Sequence, residues 1–233
     1  MNMAAEVAAE VAADAIAVPD FERAKPPVQD RAHRTKERLL DVAGAMLGDV
    51  GIERISTNLV AQAAGVTPPA LYRHFRNKYD LLAALAERLM QRQNDVLIDW
   101  LDRWSRAGQP GLAPGLTELF RETARITDSE PGGVWIERAM RAVPQLAPIR
   151  IASHRYVTDR IVAAMMALTP DQDARVLWRR VRLAVEIGYA VDEMLHEEDR
   201  ITAEDLFGDA ARAIAAITAA PISNAQGDAD HGA

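Results

Sequence analysis

Two stretches of this 233-residue chain place polar and ionisable side chains at spacings that suggest chemistry. The first is Glu193-x-x-His196. On a helix the pair shares one face, the spacing that carboxylate-bridged metal sites in helix bundles use. Such a site needs a second copy of the pair and two further inward glutamates. The sequence holds no second copy, and Glu197, Glu198 and Asp199 alongside read as an exposed helix end. Neither a metal nor a cofactor is expected. A phosphate-binding glycine loop, HExxH and GxSxG are also missing, so no enzymatic function is expected.

The second stretch runs from Ser56 to Phe75 and reads as two short helices joined by a tight turn. Ser56 is placed to cap the first helix, Thr57–Ala64, with Leu59, Val60 and Ala63 facing inward. Ala61 is small where the two helices must approach. Gly65 supplies the left-handed backbone of the turn. Val66 and Leu71 plug the angle between the helices. Thr67 caps the second helix, and Pro68 and Pro69 fall at its first positions, where a missing N–H costs little. Because Pro69 has no N–H, the Thr67 hydroxyl is expected to cap the Ala70 N–H. This is the plan of a helix-turn-helix, which offers its second helix to a DNA major groove.

The run GIERISTNLVAQAAGVTPPALYRHFRNKYDLL resembles the N-terminal DNA-binding domain of the TetR family. The likeness extends over about Arg34 to Met90 and rests on a small residue, Gly-Val, Leu-Tyr-x-x-Phe and Asn-Lys with Leu-Leu. It implies an all-α protein with an N-terminal three-helix DNA-binding domain. A long helix would join this domain to a C-terminal helical ligand-binding and dimerisation domain. It also implies roles for individual residues. Ser56, Thr57 and Asn58 open the second helix, where the family contacts phosphate and sometimes a base. Thr67, Pro68, Ala70 and Arg73 fall on the groove-facing side of the recognition helix. Tyr72 and His74 match positions that touch the DNA backbone or base edges, and Lys78 matches a phosphate contact. Chemistry favours Arg73 as a base reader, because its fork fits guanine O6 and N7. Lys78 is a point charge for phosphate. Pro68 and Ala70 offer only apolar contact. Packing remains an alternative for Tyr72, and a solvated charge an alternative for Arg76.

The elements that must position these residues are helical throughout, since period-two alternation is missing. Leu39, Val42, Ala43, Met46, Leu47 and Val50 form one apolar face of a first helix that Gly51 stops. Asn77 followed by Asp80 starts a long helix reaching about Arg106. Gly108 to Gly115 reads as a loop, and further helices are expected at roughly 115–128, 133–142, 150–167, 171–197 and 203–219. Helix 171–197 carries two apolar stripes, one through Ala174, Leu177, Trp178, Val181, Val185 and Val191, the other through Leu183, Ile187, Ala190 and Met194. A helix apolar on two sides has two neighbours to satisfy.

Helices 171–197 and 203–219 are therefore expected to pair with their copies in a homodimer, which would present two recognition helices to a near-palindromic double-stranded operator. A small-molecule effector, whose identity the sequence does not give, is implied by the resemblance. Candidates for its pocket are Phe120, Trp135, His154, Tyr156, Met165, Trp178 and Tyr189. The resulting division is a flexible acidic arm at 1–30, a DNA-binding domain at 33–93, an effector-binding and dimerisation domain at 94–220 and a disordered tail at 221–233.

The net charge of −7 is unevenly spread. Residues 1–30 hold two basic side chains against six acidic ones, whereas residues 31–80 hold eight against five. A basic module between acidic segments suits a nucleic-acid partner. Cysteine is absent, no apolar run reaches membrane-spanning length, and Glu6, Glu10 and Asp14 interrupt the alanine-rich start. A cytoplasmic regulator of transcription, a repressor by family habit, is the expectation. The alternative is an architectural DNA-binding protein with no ligand.

Overall fold

The computed structural model describes residues 19, 30–107, 112–168 and 170–219. The expected arm and tail lie outside the described residues, apart from Pro19 and Asp30. All regular structure among the described residues is helical: α1 (Asp30–Arg54), α2 (Thr57–Ala63), α3 (Pro68–Tyr72), α4 (Lys78–Arg106), α5 (Leu112–Ser129), α6 (Gly133–Ala142), a 3-10 turn (Pro144–Leu146), α7 (Ala147–Met166), α8 (Ala174–Leu195) and α9 (Ala203–Ala219). Among these residues no helix is long and apolar enough to cross a membrane.

Several boundaries differ from the sequence reading, and proline explains two of them. Pro114 and Gly115 were expected in a loop but lie inside α5, which begins at Leu112. Pro148 lies in the first turn of α7, which starts at Ala147. In a first turn the proline nitrogen has no intrahelical acceptor to lose, so proline there opens a helix as readily as it ends one. Residues 108–111 lie outside the described residues. α1 continues through a kink at Gly51 (φ 77°) to Arg54.

The contacts divide the chain into two units. The first comprises the residues up to Asp99 together with Arg121–Tyr156. Its core is built from Leu39, Leu40, Ala43 and Leu47 of α1, Val60 and Ala61 of α2, Leu71 and Phe75, and Leu81, Leu82, Leu85, Leu89 and Met90 of α4. On α4 these residues recur three and four apart, giving one buried stripe along the helix. Within this unit the turn Pro131-Gly132-Gly133 meets α1 so closely that a Cβ on Gly44 would lie 2.1 Å from the Pro131 carbonyl oxygen.

The same unit holds an ion-pair hub. The Arg88 guanidinium bonds Glu37 Oε2 at 3.0 Å and Asp41 Oδ1 at 2.8 Å, and pairs with the buried Glu130 carboxylate, which also holds Arg92. Burial by itself would lower the Arg88 pKa. The bond to Glu37 and the charge of Glu130 outweigh it and hold the group above its ordinary value.

The second unit comprises Trp100–Phe120 and the residues from Val157 on. Here α8 packs on α9. Leu177, Val181, Ala184 and Val185 of α8 are buried, as are Phe207, Ala210, Ala211 and Ile214 of α9. Both helices are capped at the start: Asp173 accepts from the Arg175 and Val176 amides, and Thr202 Oγ1 accepts from the Asp205 amide at 3.2 Å. Trp178 belongs to the first of the two apolar stripes expected on α8. It is 37% exposed and donates its indole N–H to Asp159 Oδ1 at 2.7 Å. The second stripe stays open to solvent, with Leu183 52% and Met194 41% exposed.

Candidate nucleic-acid interface

The candidate interface is assembled by local bonds that the sequence specifies. Ser56 is extended (φ −145°, ψ 156°), and its Oγ accepts the Leu59 amide at 3.3 Å, which starts α2. The inward face of α2 is Thr57, Val60, Ala61 and Ala64, spaced three and four apart. Leu59 and Ala63, expected inward, lie on the exposed face, Leu59 being 41% exposed. A seven-residue helix offers two candidate faces, and the buried Thr57 hydroxyl selects the one that the apolar pattern alone does not.

The turn is a Schellman motif: Val66 N–H donates to Ala61 O at 2.9 Å, and Gly65 N–H to Gln62 O at 3.1 Å. It requires the left-handed φ of 63° found at Gly65. Arg38 from α1 donates to Ala64 O at 2.5 Å, fixing the end of α2 to the first helix. No sequence motif marks this bond.

Thr67 precedes α3 in extended conformation, but its hydroxyl caps nothing. The Ala70 amide is taken by the Thr67 carbonyl at 2.9 Å, which corrects the expected side-chain cap. With Pro68 and Pro69 lacking N–H groups, Ala70 carries the first amide of the helix, and the tight backbone turn consumes it. None of the first three residues of α3 therefore retains a free backbone donor. This leaves any recognition to side chains and weakens the helix start as an anion site. Leu71 and Phe75 are buried, as expected.

The side chains are arranged as follows. Tyr72 is 47% exposed, and its hydroxyl lies 3.1 Å from Thr57 Oγ1, so the buried threonine aims the tyrosine. Arg73 closes α3 with its backbone N–H donated to Leu71 O, and its exposed side chain makes no hydrogen bond or ion pair with any described residue. Asn58, Thr67 and Pro68 are exposed, Ala70 is half-buried, and half-buried His74 lies beside Phe75 with ring centroids 6.2 Å apart. Lys78 donates one N–H to Ile52 O at 3.2 Å, which leaves two donors on the ammonium.

Arg76 is no mere solvated charge: its guanidinium clamps Asp80 through Nε at 2.6 Å and Nη2 at 2.8 Å. Asn77 Oδ1 accepts the Asp80 amide at 2.9 Å, completing the start of α4. The hydrogen bond from Arg76 lowers the Asp80 pKa, against an opposing contribution from burial. A lowered folded-state pKa gives stability that is present above the ordinary carboxylate value and is lost as pH falls through the lowered one. Arg76 is largely exposed, so Asp80→Ala is expected to cost about 1 kcal/mol at neutral pH. That difference from the parent should shrink towards zero below pH 3.8, the ordinary value. Urea unfolding at both pH values checks it.

The seven pocket candidates divide between the two units. Trp135 is 43% exposed with Arg138 over its ring, His154 is buried, and Tyr156 is half-buried, all in the first unit. In the second unit Phe120 packs against Phe207, Trp178 is at the surface, Tyr189 is half-buried, and only Met165 lines the cavity described below. At the end of α8, His196 Nδ1 donates to Asp192 O at 2.8 Å. Among the described residues no three histidine or acidic side chains converge in a way that could hold a metal ion.

Residues 39–85 match the profile of bacterial regulatory proteins of the tetR family. This stretch thus has the sequence pattern of a TetR-family N-terminal domain. The chain is 35% identical over 98 residues to the class A tetracycline repressor protein from transposon 1721 of Escherichia coli, covering 40% of this chain and 45% of the repressor. It is 46% identical over 55 residues to the class C tetracycline repressor protein of Escherichia coli, 24% of this chain and 25% of that one. The chain thus spans less than half the length of these relatives. The fold beyond the TetR-family domain resembles solved regulators. A TetR-family regulator from Mesorhizobium loti superposes with a TM-score of 0.61 at 17% identity, covering 81% of this chain and 97% of that one. The fatty acid degradation regulator FadR from Bacillus halodurans gives 0.61 at 15% identity, with 82% and 96% covered.

Proposed function

We propose that this protein is a sequence-specific DNA-binding regulator of transcription. It acts from the cytoplasm as a homodimeric repressor that a small-molecule effector releases from its operator. Residues 33–93 bind DNA, and 94–220 hold the effector and the dimer contact. The observation that carries this reading is the site itself. α3 has spent its backbone donors, and Arg73 stands exposed and unengaged beside a Tyr72 aimed by Thr57. Such a helix can read base edges only with side chains. The DNA-contacting set is Ser56, Thr57, Asn58, Thr67, Pro68, Ala70, Tyr72, Arg73, His74 and Lys78.

The open stripe of α8 supports the dimer. Leu183, Ile187, Ala190 and Met194 follow helical spacing, and Leu183 and Met194 are large apolar residues exposed to solvent. An apolar stripe of this kind marks an interaction face. Sedimentation showing only monomer at micromolar concentration would remove this part of the proposal.

Selection of genomic DNA by the purified protein tests the function: a shared near-palindromic site supports it, and sequence-independent binding favours the architectural alternative. Arg73→Ala is expected to cost ~1–3 kcal/mol and to relax preference at one base position, while Lys78→Ala weakens all sequences alike and lowers the salt slope by about one. Equal loss on specific and random DNA for Arg73→Ala would remove Arg73 as a base reader.

A further inference from the structure

The second unit holds an open-sided cavity of about 350 Å³ away from α2 and α3 in sequence, lined by the end of α4, the start of α5, the end of α7, Gln172 and the last turns of α9. We propose that it binds a small, uncharged, mostly apolar molecule carrying one hydrogen-bond acceptor. The volume lies at the lower end of the range for ligand pockets. It equals the space of about a dozen liquid water molecules and so suits a ligand of about a dozen non-hydrogen atoms.

The wall dictates the chemistry. Leu112, Met165, Leu168 and Ala215 are apolar, and among the described residues no ionisable side chain lines the space. A charged ligand would enter without a counter-charge, which is strongly unfavourable. Two hydrogen-bonding groups of the wall are fixed by the fold. The Thr218 hydroxyl donates to Ile214 O at 2.9 Å, so its proton is engaged. The Trp104 indole N–H is buried and finds no acceptor among the described residues. An indole can only donate, and a buried donor left unsatisfied is costly. The complement it lacks is therefore an acceptor, such as a carbonyl or ether oxygen. The ring is held for this role by stacking on Trp100, with centroids 5.8 Å apart and planes 13° from parallel. Gly115 permits that stack, since a Cβ there would come 3.1 Å from the Trp100 ring. Leu168, 47% exposed, marks the side open to solvent.

Of the seven residues offered by the sequence as a pocket, only Met165 belongs to this site. The proposal rests on the reading of 94–220 as the effector-binding part, but its test measures binding alone, so its failure leaves the DNA-binding reading standing. Menthone, a compact ten-carbon ketone, is the probe, and titration calorimetry on the full chain is the measurement. Saturable binding at one site per chain is expected. Trp104→Phe keeps the ring but removes the N–H, and should weaken menthone roughly fivefold, the worth of one ordinary net hydrogen bond. Leu168→Glu places a carboxylate at an exposed position of the wall, so folding is spared, as circular dichroism will verify, and binding should be lost. Failure of menthone to saturate the parent, parent-like binding by Leu168→Glu, or unchanged affinity in Trp104→Phe each overturns the site as proposed.

Discussion

Gly44→Ala is expected to destabilise the protein by about 3 kcal/mol or more and to lower its unfolding midpoint by roughly 6–12 °C. The cause is steric. A Cβ on Gly44 would stand 2.1 Å from the Pro131 carbonyl oxygen and 2.9 Å from its carbon. From the opposite side, a Cβ on Gly132 would stand 2.0 Å from the Gly44 oxygen. Both obstacles are backbone, so no rotamer change relieves them, and α1 must move away from the turn. Two other glycines calibrate the effect. At Gly48 the nearest obstacle is Trp135 Cδ1 at 3.3 Å, on an exposed side chain that can swing aside. Gly48→Ala should therefore change stability by less than about 1 kcal/mol. Gly65 has nothing within 4 Å but a φ of 63°. Gly65→Ala should cost about 1 kcal/mol through backbone conformation alone. Thermal unfolding of the three variants reads the order directly. A Gly44→Ala midpoint matching that of Gly48→Ala would rule out the close approach. Because α1 also packs on α2 and holds its last carbonyl through Arg38, Gly44→Ala should weaken DNA binding as well.

What the sequence made legible was local. The cap at Ser56, the left-handed turn at Gly65 and the start at Asn77–Asp80 each depend on residues within four positions of one another, and each is formed as expected. The helices of the TetR-family domain followed from these signals, and the fold class followed from the helices. Misreadings arose where two local solutions compete. Proline can end a helix or open one, and at Pro114 and Pro148 it lies in a first turn. A short helix can turn either of two faces inward, as with Leu59 and Ala63 of α2. Non-local features were beyond reach. Pro131-Gly132-Gly133 reads as a break between helices, and nothing nearby marks Gly44 as its partner. The bond from Tyr72 to Thr57 spans fifteen positions, and the Arg88 hub spans up to fifty-one. Nor does composition mark which tryptophan lines the cavity of the second unit. Trp135 and Trp178 are at the surface, and the tryptophan that lines it is Trp104.

Glu130→Gln is expected to cost about 3 kcal/mol, although it preserves the shape of the side chain. The Glu130 carboxylate is 1% exposed and holds both Arg88 and Arg92, which lie one turn apart on α4. The substitution removes the charge and leaves the Arg88 guanidinium, itself only 15% exposed, to Glu37 and Asp41 alone. Those partners are 37% and 57% exposed, so Glu37→Gln and Asp41→Asn should each cost no more than about 1 kcal/mol, and less at high salt. The Glu130 contribution should resist salt, because the carboxylate is shielded from it. A double-mutant cycle distinguishes attraction from desolvation. Glu130→Gln with Arg88→Met replaces both buried charges, so its cost should fall below the sum of the two single substitutions. Urea unfolding at neutral pH, at low and high salt, measures all of these. A Glu130→Gln cost equal to that of Asp41→Asn, or one that fades equally with salt, would show that the hub is a surface network. The expected asymmetry instead makes Glu130 the anchor through which the end of α5 holds α4, and Arg88 the group through which α4 holds α1. The bond of α1 to the end of α2 then depends on a charge that no DNA contact requires.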